Sequence, residues 1–371
     1  MKILICSTVY PGLGGIPRYC ENIAKEFLKK GHKIFILAEK INSSEKDYEI
    51  IKNKQIFRYQ RTGNLKQELK DIEEILKKIN QTFDLIIIRW YKFFRPAKKI
   101  FPDSKFIYIL PSIRTLALSD INKDKSFFKK IHYKIKTRFQ ITLEKEILRK
   151  ANLIIYHSGG LKKQTEREYN LNRKLRRKGI VIPPGIDLEK FKPKNKNKNK
   201  NYALVVANFD PRKGIDKAIK TADYLKDFKI KIIGEGKLRS QYEHLIKKLK
   251  LENKIELLGP KKNIPLYMNN ALCYLMTSTN ESFGLVILEA MASGLPVIAF
   301  KPDNKKILTA SDEIIENNKT GFLVKNEQEM AKKIELLLKN KSLRNKMSKV
   351  VRKQAEKYSW EKTADKILNS I

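Results

Sequence analysis

Two glutamates, Glu281 and Glu289, stand in the segment Ser278–Pro296, the stretch of this chain whose residue types and spacing could do chemistry. An apolar run, Cys273–Thr277, reads as a strand before it, and a short helix ending near Gly294 follows. Glu281 then falls in a strand-to-helix turn at the carboxyl edge of a sheet, where open α/β sheets bind ligands. Gly284 to Leu288 open the helix, whose free N–H groups and positive dipole end suit an anion. Glu289 sits among Leu285, Val286, Ile287, Leu288, Ala290 and Met291, so the helix is apolar on nearly every side. A carboxylate placed there costs several kcal/mol unless it finds hydroxyl or cationic partners. The vicinal hydroxyls of a sugar would serve; a structural ion pair to one of the many lysines is the plainer alternative.

Such a turn needs a sheet beneath it. Short apolar runs alternate with longer amphipathic stretches along the whole chain. In the first half they predict strands over Ile3–Val9, Lys33–Ala38, Asp84–Ile88, Lys105–Leu110, Asn152–Tyr156 and Gly179–Ile182. In the second half they predict Tyr202–Ala207, Lys229–Ile233, Lys254–Leu258, Cys273–Thr277, Val297–Phe300 and Phe322–Val324. Continuous apolar strands suit parallel sheets covered on both faces. Their alternation with helices on both sides of a midpoint predicts an α/β protein of two doubly wound, Rossmann-like domains. The midpoint is the run Lys192–Lys200, built from lysine, asparagine and one proline, which has nothing apolar to bury and reads as an exposed linker or loop.

The length, 371 residues, fits two domains, and 42% hydrophobic content with 16 glycines and 13 prolines excludes collagen-like and wholly disordered chains. Lys and Arg number 79 against 40 Asp and Glu, a formal net charge of +39. That excess favours polyanions without choosing among nucleic acid, anionic lipid and nucleotide phosphates, and solvated lysine-rich faces account for it equally well. Two basic-aromatic clusters stand out, Arg89–Arg95 and a candidate amphipathic helix over Phe127–Leu143 with Phe128, Ile131, Ile135 and Phe139 at helical spacing. Either they pack on the first sheet or they face a membrane surface. The three cysteines are scattered, no Cys-x-x-Cys occurs, and the four histidines form no ligand-spaced cluster, so neither a disulfide framework nor a zinc site is expected. The apolar stretch in Met1–Ser7 is too short for a signal peptide, and the longest uncharged run, Asn263–Asn280, holds Pro265 and four asparagines, so no transmembrane helix is expected. A cytoplasmic protein, peripheral at most at the inner face of the cell membrane, is expected.

The Glu281–Glu289 segment resembles the paired-glutamate signature of retaining GT-B glycosyltransferases, the glycogen-synthase-like family four, also called glycosyl transferases group 1. The resemblance runs along most of the chain and in one order. Tyr10–Tyr19 followed by Ala24–His32 is similar to the family's opening glycine-rich loop and helix, and Val181–Phe191 to the segment closing the first domain. Pro211–Gly214, Ile233–Gly236, Leu258–Gly259, Thr320–Val324 and Tyr358–Trp360 match landmarks of the second. The resemblance implies a GT-B fold, with two Rossmann-like domains facing across a cleft. Residues 1–190 would form the acceptor-side domain, 191–355 the nucleotide-sugar domain, and 356–371 a helix crossing back to the first.

It also implies roles. Glu281 would contact donor-sugar hydroxyls and Lys213 would hold the departing diphosphate, both as catalytic residues. Glu289 would bind ribose hydroxyls. Gly14 and Gly15 would let backbone approach the phosphates, and Asn208, Arg212, Phe283, Gly284 and Leu285 would complete the donor site. The implied reaction is hexosyl transfer from a nucleotide-diphosphate sugar, UDP- or GDP-linked, to a glycan or lipid-linked acceptor, with retention and without metal or other cofactor. The absence of an Asp-x-Asp agrees with that. The sequence departs from the family pattern twice. Asn208 stands where an arginine usually precedes the phosphate lysine, and Ile109-Leu110-Pro111-Ser112 lacks a histidine many members carry. A sugar-nucleotide epimerase or a silent nucleotide-sugar binder on the same fold is the alternative. A dinucleotide oxidoreductase fails because the third fingerprint glycine would fall at Pro17. Nucleic acid is not an expected partner, since no recognisable module accompanies the charge.

Overall fold

The computed structural model describes every residue except Leu13, 113–126, 195–200 and Asn304, with backbone alone for 127–137. Most of the lysine–asparagine run therefore lies outside the described residues. The chain divides into two compact units, Met1–Pro183 with Trp360–Ile371, and Pro184–Ser359.

Unit 1 contains β1 (Lys2–Val9), α1 (Gly15–Lys29), β2 (Lys33–Glu39), β3 (Tyr48–Ile51), β4 (Lys54–Tyr59), α2 (Leu65–Lys78) and β5 (Leu85–Ile88). It continues with α3 (Phe94–Ile100), β6 (Lys105–Ile109), α4 (Phe127–Lys150), β7 (Leu153–Tyr156), α5 (Gly159–Glu168), α6 (Arg173–Arg177) and β8 (Gly179–Val181). The sheet order is β3-β4-β2-β1-β5-β6-β7-β8, parallel throughout except for the antiparallel β3–β4 pair. Strands such as β5, Leu-Ile-Ile-Ile, are buried along their whole length, as a sheet covered on both faces requires. On α1, Tyr19, Cys20, Ile23, Ala24 and Phe27 recur every three or four residues and are buried.

Unit 2 contains β9 (Tyr202–Val206), α7 (Ile215–Asp223), β10 (Lys229–Ile233), α8 (Arg239–Lys248), β11 (Ile255–Gly259), α9 (Ile264–Asn270) and β12 (Cys273–Met276). Then come α10 (Leu285–Ala292), β13 (Val297–Phe300), α11 (Ser311–Ile314), β14 (Gly321–Val324), α12 (Glu327–Lys339) and α13 (Lys341–Ala355). Its sheet, β11-β10-β9-β12-β13-β14, is entirely parallel. The last helix, α14 (Trp360–Leu368), belongs to unit 1. Trp360 meets the Tyr19 ring edge-on at 5.3 Å, and Lys30 pairs with Asp365 at 2.6 Å.

Each predicted strand is present within a residue or two of its expected ends. The units divide a few residues from the expected 190 and 355, at 183/184 and 359/360. Ile186 bridges to Ser359, and Ile186 and Phe191 pack in the core of unit 2. The β3–β4 hairpin was not predicted, because Glu49, Lys54 and Arg58 interrupt its apolar pattern. The Arg89–Arg95 cluster is not a surface: Arg89, Tyr91, Lys92, Phe93 and Phe94 are buried, and exposed Arg95 pairs with Glu146. Helix α4 forms over the second cluster, where Phe139 is exposed and the side chains of Phe128, Ile131 and Ile135 lie outside the described residues. None of the described helices is long and apolar enough to cross a membrane.

Candidate active site

Each sheet reverses its winding once, between β1 and β5 in unit 1 and between β9 and β12 in unit 2. Ligands of open α/β sheets bind beyond the carboxyl ends of the strands at such points. In unit 2 the two loops leaving that point are Ala207–Gly214 and Thr277–Gly284, and they carry most of the residues singled out above.

These loops are stitched to each other. Asp210 caps the single 3₁₀ turn Pro211–Lys213 by accepting the Arg212 N–H at 3.0 Å. Thr277 Oγ1 donates to the Lys213 carbonyl at 2.9 Å, and Thr279 N–H donates to the Arg212 carbonyl at 2.8 Å. Gly214, at φ 59°, closes this contact: a Cβ there would lie 2.2 Å from the Thr277 carbonyl oxygen. Any side chain would force the loops apart. On the far side, Glu281 N–H donates to the Leu308 carbonyl at 3.0 Å and Leu308 N–H to that of Thr279 at 2.7 Å. The backbone of the Thr277–Glu281 turn is thus held from both flanks.

Lys213 Nζ and the Glu281 carboxylate form an ion pair across the two loops, with side chains 27% and 21% exposed. Arg212 forks onto Asp210 through Nε at 2.8 Å and Nη2 at 3.1 Å. Burial raises the Asp210 carboxyl, but the Arg212 guanidinium and N–H outweigh it and hold the group below the usual range. Asn208 is exposed. Gly284, at φ 88°, precedes α10, whose first turn carries no acidic residue. Leu285 is half-buried there. Phe283 is 4% exposed, packs edge-on against Tyr358 and belongs to the core. Glu289 is 2% exposed on α10. It lies near the buried Tyr274 of β12, whose hydroxyl donates to the Val206 carbonyl at 3.3 Å. Burial first, and then the Glu289 charge, push that phenol well above its ordinary range. The structure therefore brings Arg212, Lys213 and Glu281 together around two loops, with Gly284, Leu285 and Glu289 on the helix that follows.

Gly14 and Gly15 belong to unit 1, Gly14 capping α1 after the loop that leaves β1 and Gly15 opening the helix. Gly14 has φ 105°, and a Cβ on either glycine would meet nothing within 4 Å. His157 follows β7 and is buried, with Nε2 3.2 Å from Arg89 Nη1 and Nδ1 3.3 Å from the Ile182 carbonyl. Burial and the Arg89 charge push its imidazole down to about 3, so it is neutral and packed. Among the described residues no group of three His, Cys, Asp or Glu could hold a metal ion.

Known proteins are similar to this chain. The family described as Glycosyltransferase Family 4 matches residues 13–190, and Glycosyl transferases group 1 matches residues 187–354. A probable sucrose-phosphate synthase of Thermosipho melanesiensis is 29% identical, over 98% of this chain and 92% of its own. The N-acetylgalactosamine-N,N'-diacetylbacillosaminyl-diphospho-undecaprenol 4-alpha-N-acetylgalactosaminyltransferase of Campylobacter jejuni is 28% identical over 58% of each chain. The structure of Anabaena HepE, crystallised with UDP and glucose, superposes with a TM-score of 0.77 at 21% identity, covering 100% of this chain and 99% of that one. The fold is GT-B, and the chain belongs to the group 1 glycosyltransferases. It is an enzyme of sugar transfer.

Proposed function

We propose that the chain transfers a hexosyl group from a nucleotide-diphosphate sugar, UDP- or GDP-linked, to a glycan or lipid-linked acceptor, with retention and without metal. The Lys213–Glu281 ion pair at the switch point of unit 2 carries this reading. Two opposite charges, each about a quarter exposed and set on stitched loops, neutralise each other until a ligand exchanges with both. The diphosphate takes the Lys213 ammonium, and a sugar hydroxyl donates to the freed Glu281 carboxylate. Lys213 and the N-terminal amides of α10 then stabilise charge developing on the leaving phosphate, where preorganised donors matter most. The leaving phosphate helps deprotonate the acceptor on the face it departs from, which retains the anomeric configuration. Glu289 accepts from ribose hydroxyls. The relatives named above are a synthase and a transferase, which does not favour an epimerase.

An acceptor presented at an anionic membrane, on the inner face of the cell, fits the lipid-linked substrate in the name of the Campylobacter relative. With Arg89–Arg95 buried, support for docking comes from α6, where Arg173, Lys174, Arg176 and Arg177 are all exposed. Each cation near such a surface contributes about 1 kcal/mol. Flotation with anionic vesicles at low salt, lost at high salt, is expected; equal recovery with neutral vesicles removes this part.

The deciding experiment is a panel of UDP-, GDP- and ADP-sugars scored by protection against thermal unfolding. A donor at a hundred times its Kd adds about 2.7 kcal/mol. Transfer with the best donor should persist in EDTA. No protection by any sugar nucleotide would sink the reading, and strict dependence on a divalent ion would sink its metal-free part.

A further inference from the structure

The unpredicted hairpin of unit 1 buries charges where a sheet ordinarily carries aliphatic side chains. On β4, Lys54, Ile56 and Arg58 alternate onto one face, and all three are at most 2% exposed. Arg58 donates through Nε and Nη2 to a single acceptor, the carbonyl of Tyr10, at 3.1 and 2.9 Å. Its Nη1 donates to the Lys46 carbonyl at 3.2 Å. Glu49 of β3 pairs with Nη2, and Glu45 lies 3.8 Å from Nε. A buried guanidinium costs several kcal/mol unless it is paired and its donors are used, and this one meets both conditions. The planar fork explains the residue type, since lysine offers a point charge and no paired donors.

What the fork holds is the entrance to the glycine loop. Pairing of β1 with β2 is irregular between Cys6 and Val9 and ends there, so the Tyr10 carbonyl lies beyond the ladder. Tyr10 is itself 1% exposed, and its hydroxyl donates to Glu21 of α1. Glu21 also pairs with Lys54 at 3.3 Å. One strand thus ties both sides of the loop, the residue after β1 through Arg58 and the body of α1 through Lys54 and Glu21. Between those sides lie Gly14 and Gly15, with open space above them.

We propose that Arg58 is a positioning residue for sugar transfer: its fork on the Tyr10 carbonyl fixes the backbone that leads to Gly12, Gly14 and Gly15. The link to transfer rests on the reading of that loop as a phosphate-approach element. Arg58 touches no substrate; it acts through the loop.

The test compares Arg58→Gln and Arg58→Lys with the parent enzyme by two readouts, amide hydrogen exchange across residues 8–24 and steady-state transfer with the donor found in the panel. In Arg58→Gln, exchange over residues 10–18 rises while the core strands stay protected. The turnover number falls by about tenfold to a hundredfold, the loss expected when a reacting geometry shifts by about 1 Å. Affinity for the free nucleoside diphosphate, held by unit 2, stays within about twofold of the parent, a factor worth under 0.5 kcal/mol. Arg58→Lys recovers part of both losses. Unchanged exchange in a folded Arg58→Gln protein overturns the clamp, whether or not any donor is found. Faster exchange with unchanged turnover overturns its link to transfer. If global protection collapses in Arg58→Gln, Glu49→Gln decides: exchange and turnover unchanged there would overturn the proposal. A parent enzyme inert toward every sugar nucleotide overturns the transfer part alone.

Discussion

The two switch points use charge in opposite ways. In unit 1, on β4 and just beyond β5, Arg58, Arg89 and Lys92 are buried and tied to partners in the same unit. Lys92 bridges Glu68 and Glu39, and Glu39 accepts from Tyr59 at 2.7 Å. Burial raises the Glu68 carboxyl, but the Lys92 ammonium and N–H donors from Gly63 and Thr62 bring it below its ordinary value. At the unit 2 switch point, Lys213 and Glu281 remain about a quarter exposed and pair with each other. Charges locked in a core hold backbone in place. Charges paired at a wet edge can exchange for a ligand at small cost, because exposed pairs are worth about 0–1 kcal/mol.

The sharpest way to break this contrast is to remove one cation from each side. Lys92→Met leaves Glu68 and Glu39 buried without their cation and should lower unfolding free energy by about 3–5 kcal/mol, read from urea unfolding followed by circular dichroism. A loss under about 1 kcal/mol would place Lys92 with ordinary surface pairs and erase the contrast. Lys213→Ala should leave stability nearly untouched and raise the transfer barrier by about 2–4 kcal/mol, seen as a fall in turnover number. Near-normal turnover would assign the diphosphate to Arg212 or another cation.

A smaller effect tests the locked side by titration. His157 titrates near 3 in the folded chain against 6.5 for an unhindered imidazole. The unfolded chain therefore binds a proton that the folded one refuses. The stability this gives is complete above about pH 6.5 and is lost as pH falls toward about 3. Between pH 7 and pH 5 the loss should be about 2 kcal/mol, and His157→Gln should remove that component. Parallel loss in both proteins would show that the imidazole is not held neutral.

Much of the fold was legible before any coordinates. The apolar runs Leu85–Ile88, Tyr202–Val206 and Val297–Phe300 announce strands buried on both faces, because a run without alternation has no side to give to water. The placement of Glu281 in a strand-to-helix turn and of Glu289 on the following helix was legible too, with Gly284 opening that helix at a φ that favours glycine. Family likeness followed from the order of motifs along the chain.

Tertiary structure decided what the charged residues do, because a side chain's charge says nothing about the dielectric around it. Arg89–Arg95 left packing and a membrane surface both open in the sequence, and all of it but Trp90 and Arg95 is buried. The packing of Phe283 against Tyr358, 75 residues on, appears only in the folded chain. Lys54 and Arg58 hide a strand from any hydropathy pattern, and their purpose appears only when Tyr10, Glu21 and Glu49, remote in sequence, converge on them. Apolar periodicity is a local property that one segment can state alone. The worth of a buried charge depends on partners that only the folded chain brings within reach.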